Sequence, residues 1–142
     1  MSTDPIRQLL DRQAIADAVT RLFVETDRKN WAAVEALFTD SVKFAMHGTQ
    51  SPIEDTFSGA QIAAMWRDGL EHVAVVHHQM GNLLVDLHEE HAHAFCYAIA
   101  THYEAEGEKP LTTFTGSYDL TLVRKSDRWQ IEGFRFNAKY VI

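Results

Sequence analysis

From Val73 to Val141 the chain reads almost wholly as strand, and this constrains its fold more than any other feature. Four long runs, Val73 to Leu87, Ala92 to Glu104, Leu111 to Lys125 and Arg128 to Val141, are rich in β-branched and aromatic residues. The breaks between them, Glu89-Glu90, Gly107-Glu108-Lys109-Pro110 and Ser126-Asp127, carry turn chemistry. Breaks this short make each strand the antiparallel neighbour of the next. Alternation is plain in the third run, where Phe114, Tyr118, Leu120 and Leu122 interleave with Thr113, Thr115, Ser117, Asp119 and Thr121. Ser41 to His47 reads as a further short strand.

The first half reads as helix. Asp4 before Pro5 is a cap followed by a helix-starting proline. Ile6, Leu9, Leu10, Ile15, Val19, Leu22 and Phe23 then recur mainly at three- and four-residue spacings, the pattern of one apolar helix face. Asp11 is a candidate second cap within this stretch, which ends near Asp27-Arg28-Lys29-Asn30. Asn30 is read as the cap of a shorter helix holding Trp31, Val34, Leu37 and Phe38. Ser58-Gly59-Ala60-Gln61 fits a capping box opening a third helix through about His72.

Helices first and a strand meander after predict an α+β fold, with N-terminal helices packed on a strongly curved antiparallel sheet. Such a sheet forms a cone-shaped α+β barrel open at one end, and the opening is the default place for a small-molecule pocket. The apolar candidates for its lining are Phe23, Phe44, Phe57, Met65, Trp66, Tyr97, Phe114 and Tyr118. Together they suit a hydrophobic, ring-containing ligand. Ala94, Cys96, Ala98 and Ala100 fall on one face of one strand and leave room there.

Composition narrows the function. With 142 residues and no internal repeat or Gly/Ser linker, residues 1–142 are expected to form a single domain. The net charge is −7 without a basic stripe, which argues against nucleic acid and against anionic membrane surfaces. No apolar run approaches the roughly 20 residues needed to span a bilayer. Met1-Ser2-Thr3-Asp4-Pro5 has neither a basic nor an apolar leader region. The single Cys96 cannot form an intrachain disulfide, so a cytoplasmic, reducing location is expected. Seven of the eight histidines fall from His72 to His102. His88-Glu89-Glu90-His91-Ala92-His93 spaces its first two histidines three apart across a turn, unlike the helical His-Glu-x-x-His zinc motif. These read as surface histidines, and neither a metal nor a cofactor is expected.

The order of elements, together with several local strings, resembles the ketosteroid-isomerase-like superfamily that also contains nuclear transport factor two. Within it the chain looks most like the SnoaL-like branch. The strings are Asp27-Arg28-Lys29-Asn30-Trp31, Leu37-Phe38-Thr39-Asp40, His77-His78-Gln79-Met80-Gly81-Asn82, Ala100-Thr101-His102-Tyr103 and Trp129-Gln130-Ile131. Three polar positions match the scytalone dehydratase pattern: Asp27, His78 and His102. The Asp27–His78 pair also resembles the dyads of the hexachlorocyclohexane dehydrochlorinase and bile-acid dehydratase families, which likewise catalyse eliminations. Arg135 can stand for the arginine of those families, about one residue out of step with Trp129.

The resemblance implies a cofactor-independent lyase (dehydratase) or isomerase acting on a small hydrophobic molecule. A non-catalytic ligand-binding or assembly domain, or a polyketide cyclase, are the other functions this fold carries. A carboxylate beside an imidazole orients the ring, sets its tautomer and strengthens it as a base. In this reading Asp27 orients His78, His78 takes the proton, and His102 serves as acid or holds a water.

Register leaves one point open. A three-residue turn after His88 pairs His78 with His102, and directly opposed residues lie within about 5.5 Å at Cβ. A two-residue turn pairs His77 with His102 instead, and a bulge at Gly81 shifts the pairing again. The resemblance favours His78 for the pocket, with His77 facing outward. A homodimer through the outer sheet face, with its row of Thr113, Thr115, Ser117 and Thr121, is also expected.

Overall fold

The computed structural model describes residues 4–142; Met1 to Thr3, part of the stretch read for a leader, lie outside them. Helix α1 runs from Pro5 to Asp27 without a break. The Asp4 carboxylate accepts from the Ile6 N–H at 3.0 Å, so the Asp-Pro start acts as expected. Asp11 does not cap a second helix. It is buried on α1 and accepts the Trp129 indole N–H at 3.3 Å. The apolar stripe divides at that point. Ile15, Ala18, Val19, Leu22 and Phe23 are core, whereas Ile6, Leu9 and Leu10 stand in solvent.

Helix α2 is one short turn and a half, Trp31–Ala36, and Asn30 precedes it without a side-chain cap bond. Leu37 closes it, and Phe38 already belongs to strand β1, Phe38–His47, rather than to the helix. β1 therefore starts earlier than its sequence pattern indicates. A short strand β2, Ile53–Phe57, pairs antiparallel with it and was not foreseen. Helix α3, Gly59–Leu70, opens with both bonds of the Ser58/Gln61 capping box in place. The four long strands follow as β3 (Val75–His88), β4 (His91–Tyr103), β5 (Leu111–Lys125) and β6 (Arg128–Val141), each within two residues of expectation.

The six strands form one unclosed, curved sheet in the order β2-β1-β6-β5-β4-β3. The long strands form the antiparallel meander, and β1 joins β6 in parallel. The helices lie on the concave face, giving the α+β cone that the element order predicts. On β4 the inward positions are Ala92, Ala94, Cys96, Ala98 and Ala100, all buried. These small side chains let α1 come close to the sheet. The inward bulk comes from β5 and β6, through Tyr118, Leu120, Leu122, Ile131, Phe134 and Phe136.

Two irregularities shape the open end. β3 and β4 turn through Glu89 and Glu90 alone, so His88 opposes His91. Between Leu84 and Gly81 a bulge then shifts the register by one, with Asn82 at φ 56°. The final pairings are His78 with Ala100, His77 with Thr101 and Val76 with His102. Neither simple register holds: the two-residue turn and the bulge act in succession. Even so, His78 and His102 become diagonal neighbours on the inner face, a relation that spans about 7–8 Å between strands.

Candidate active site

Asp27 is the last residue of α1, where Arg28 takes an αR conformation and Lys29 a positive φ of 56°. The chain turns away there, and the Asp27 side chain reaches across to β3. It meets His78 twice. One carboxylate oxygen lies 2.6 Å from His78 Nδ1, and the other accepts the His78 backbone N–H at 2.9 Å. The pair is largely sheltered, with 12% of the His78 side chain and 18% of the Asp27 side chain exposed. The backbone bond holds the strand in place while the ring bond sets rotamer and tautomer. With Nδ1–H donated to the carboxylate, Nε2 is left as the free basic nitrogen of the ring.

His78 forms part of the wall of a cavity of about 200 Å³. Helix α1 contributes Leu22, Phe23 and Thr26 to it, and α3 contributes Met65, Trp66, Gly69 and Leu70. The sheet contributes Met46, His78, His102, Tyr118 and Phe134. Most of this surface is carbon. The Phe23 ring packs against His78 with centroids 5.2 Å apart and against Tyr118 at 5.0 Å. The Thr26 hydroxyl is turned away from the ligand space by donating to the Leu22 carbonyl at 2.6 Å.

His102 enters the same cavity, its ring 4.8 Å from that of Phe114. Burial lowers its pKa below the ordinary histidine value, and the neighbouring His78 lowers it further, against the opposing pull of Glu104 and Asp27. At neutral pH it is therefore an uncharged imidazole, able to donate one hydrogen bond and accept another. Cys96 lies under the cavity, fully buried, and its thiol is pushed up to about 12 by burial first and Asp119 second. It stays protonated and unreactive.

The remaining expected positions divide. Phe23, Met65, Trp66 and Tyr118 line the cavity as anticipated. Phe114 does not line the cavity; its ring packs against that of His102 instead. Phe44 does not line it: the ring is 1% exposed and stacks on Phe134 at 5.0 Å, so it is core, and the partly buried Phe57 packs edge-on to it at 5.7 Å outside the cavity. Tyr97 lies on the outer face beneath the Lys139 ammonium, because it has the opposite parity to Cys96 and Ala98. Arg135 also points outward and pairs with Glu54 at 3.2 Å, too far round the strand to serve the dyad. His77 is exposed and lies in a surface groove with Asp27 and Arg28, on the outer side of the dyad.

Leu22, Thr26, Met46, Gly69, Leu70 and Phe134 line the cavity without having been anticipated. Met46 shares the inward face of β1 with Val42 and Phe44, so its alternation was available as a signal. Of the hairpin histidines, His91 meets Glu132 at 3.3 Å and His93 meets Asp119 at 2.9 Å. Among the described residues no three His, Cys, Asp or Glu side chains gather as a metal site, and no helix is long and apolar enough to cross a membrane.

The family model of the SnoaL-like domain matches residues 7–135. No curated protein matches the chain by sequence. Among solved structures, the Kfla4162 protein of Kribbella flavida superposes with a TM-score of 0.88 at 20% identity, over 95% of each chain. A protein of Novosphingobium aromaticivorans provisionally named scytalone dehydratase gives 0.80 at 16% identity, over 95% of this chain and 88% of that one. The type 3 hexachlorocyclohexane dehydrochlorinase of Novosphingobium barchaimii gives 0.83 at 14% identity, over 98% and 93%. At these identities the likeness is one of fold.

Proposed function

We propose that this chain, which belongs to the SnoaL-like domain family, is a cofactor-independent lyase of the dehydratase type, or an isomerase, acting on a small hydrophobic, ring-containing substrate. The observation that carries the reading is the 2.6 Å contact between Asp27 and His78 Nδ1 at the wall of an apolar cavity. A carboxylate-oriented imidazole facing an apolar space is a base for carbon acids. That two fold neighbours carry the names of a dehydratase and a dehydrochlorinase supports the same class.

His78 Nε2 takes a proton from a substrate carbon. The C–H electron pair forms the new double bond, and the group on the adjacent carbon leaves with its own bonding pair. His102, uncharged, steadies that departing group, or a water beside it, with an N–H hydrogen bond, and the proton held by His78 passes to the departing oxygen to complete the water and restore the base. In the isomerase variant nothing leaves, and His78 returns the proton to a second carbon. Asp27 accepts from the His78 ring throughout and stabilises the imidazolium that forms. Each role falls to a side chain of this chain.

We also propose that the chain acts as a single domain in a reducing, cytoplasmic compartment, and pairs with a second copy through the outer sheet face. Tyr97 and Ile99 are 43% and 47% exposed there, more apolar surface than the Thr and Ser row alone would offer.

The test is a screen of small hydroxylated ring compounds for loss of water, read by ultraviolet absorbance of the conjugated product. Turnover in the wild type, lost in Asp27→Asn and His78→Ala with ligand affinity retained, is the expected result. Turnover that survives both substitutions overturns the reading. Ligand binding without turnover of any compound favours a binding domain.

A further inference from the structure

Tyr118 stands out among the cavity residues as a polar group that the acid–base reading does not use. It sits on β5 directly opposite Cys96 and is 6% exposed. Three rings surround its own: Phe23 edge-on at 5.0 Å, Phe134 at 5.6 Å and Phe136 at 4.7 Å. The hydroxyl makes no hydrogen bond to any described residue. Yet it is not among the sealed polar atoms that lack a partner, so it is wetted from the cavity that Tyr118 lines. A phenol this deep in an apolar wall is costly to leave without a partner.

Other donors at the cavity are less well placed. Thr26 is committed to the Leu22 carbonyl. Trp66 packs against Phe38, Phe44 and Phe134 and makes no ring contact with His78 or with the Phe23 ring that packs on His78. Tyr118 stands on the dyad side, because one ring, Phe23, touches both it and His78. Its proton is firmly held: burial, then Cys96 and Asp27, push its pKa above the ordinary phenol value. It is a donor at every physiological pH.

We propose that the Tyr118 hydroxyl is a specificity-determining hydrogen-bond donor, and that it selects ring compounds bearing an acceptor oxygen, a carbonyl above all, over hydrocarbons of the same shape. This deepens the proposed function and rests on that reading of the cavity. A carbonyl seated on Tyr118 places its neighbouring C–H carbons toward Phe23 and His78. A site built around one donor rejects an analogue lacking the acceptor, since the donor is then left unpaired.

The probes are 1-indanone and indane, which match in shape and differ in the oxygen. Both are titrated into wild-type, Tyr118→Phe and Asp27→Asn proteins by ligand-observed NMR, and the ketone C=O stretch is followed by infrared difference spectroscopy. In the wild type the ketone is expected to bind about tenfold tighter than indane, with its C=O stretch shifted to lower frequency. Tyr118→Phe abolishes the preference and the shift while leaving indane affinity unchanged. Asp27→Asn keeps both, which separates this donor from the base. An unchanged preference in Tyr118→Phe overturns the proposal, and so does a preference lost in Asp27→Asn but not in Tyr118→Phe, although the dyad then stands. Failure of both compounds to bind any of the proteins overturns both the selectivity and the cavity reading beneath it.

Discussion

Asp27 and His78, 51 residues apart in the chain, are joined by two hydrogen bonds from one carboxylate, to the ring Nδ1 at 2.6 Å and to the backbone N–H at 2.9 Å. One side chain thus fixes both where β3 runs and which nitrogen of its histidine is free. Replacing Asp27 by Asn keeps the shape but lets the amide face the ring with either its oxygen or its NH₂. Turnover of any substrate found is expected to fall about 10²- to 10⁴-fold with little change in ligand affinity. Nitrogen NMR of the His78 ring checks the cause: one tautomer in the wild type, a mixture in the variant.

His102 makes stability depend on pH in a definite direction. Its folded-state pKa lies below the ordinary value, because of burial and then His78, so the unfolded chain takes up a proton more readily. Stability is therefore expected to fall as pH drops below about 6.5, the unfolded histidine value. His72, Glu104 and Asp27 also act on this ring, the last two in the opposite sense. Urea midpoints measured between about pH 7.5 and 5.5 should decline in the wild type and decline less in His102→Phe.

Gly116 is required by close approach. It sits at a β5–β6 register shift, where a methyl group would collide with the Asn137 carbonyl oxygen and stand 2.7 Å from the Phe136 ring. Gly116→Ala is expected to cost at least about 1–3 kcal/mol, since backbone must move. Because Tyr118 is two residues on, weaker 1-indanone binding should accompany the lower denaturation midpoint.

The contact between Asp11 and the buried Trp129 indole ties α1 to β6. Asp11→Ala leaves that N–H without its acceptor and is expected to cost about 1–3 kcal/mol. A change in tryptophan emission at no loss of helical circular dichroism would locate the effect at this contact. Unchanged stability would mean that water replaces the carboxylate.

For the proposed homodimer, sedimentation at micromolar concentration is expected to give a two-chain species. Ile99→Glu should convert it to single chains without disturbing the cavity, which lies on the other face of the sheet. A single-chain wild type would refute the pairing.

Much of the architecture was legible in the residues. β5 and β6 begin and end where their alternation and turn residues indicate, and the Ser58 capping box opens α3 as its spacing requires. Tyr97 was separable in principle: it is out of step with Ala94, Cys96, Ala98 and Ala100, and so cannot share their inward face. Phe44 was harder, because alternation says that a residue points inward but not whether it meets empty space or another ring. β2 escaped notice because five residues with three exposed carry little periodicity.

The sequence by itself determined the helix–strand order, the antiparallel meander and the turn chemistry, since these depend on dihedral preference and on the period of apolar residues. Only the tertiary structure decided which histidine faces the cavity. That choice depends on a two-residue turn and a bulge acting in succession, each shifting the register by one, and a shift of one exchanges the two faces of a strand. The same holds for the Asp27–His78 contact. It exists because α1 packs chiefly along β3, the strand that carries His78, and an approach of two elements is a property of the whole packed core.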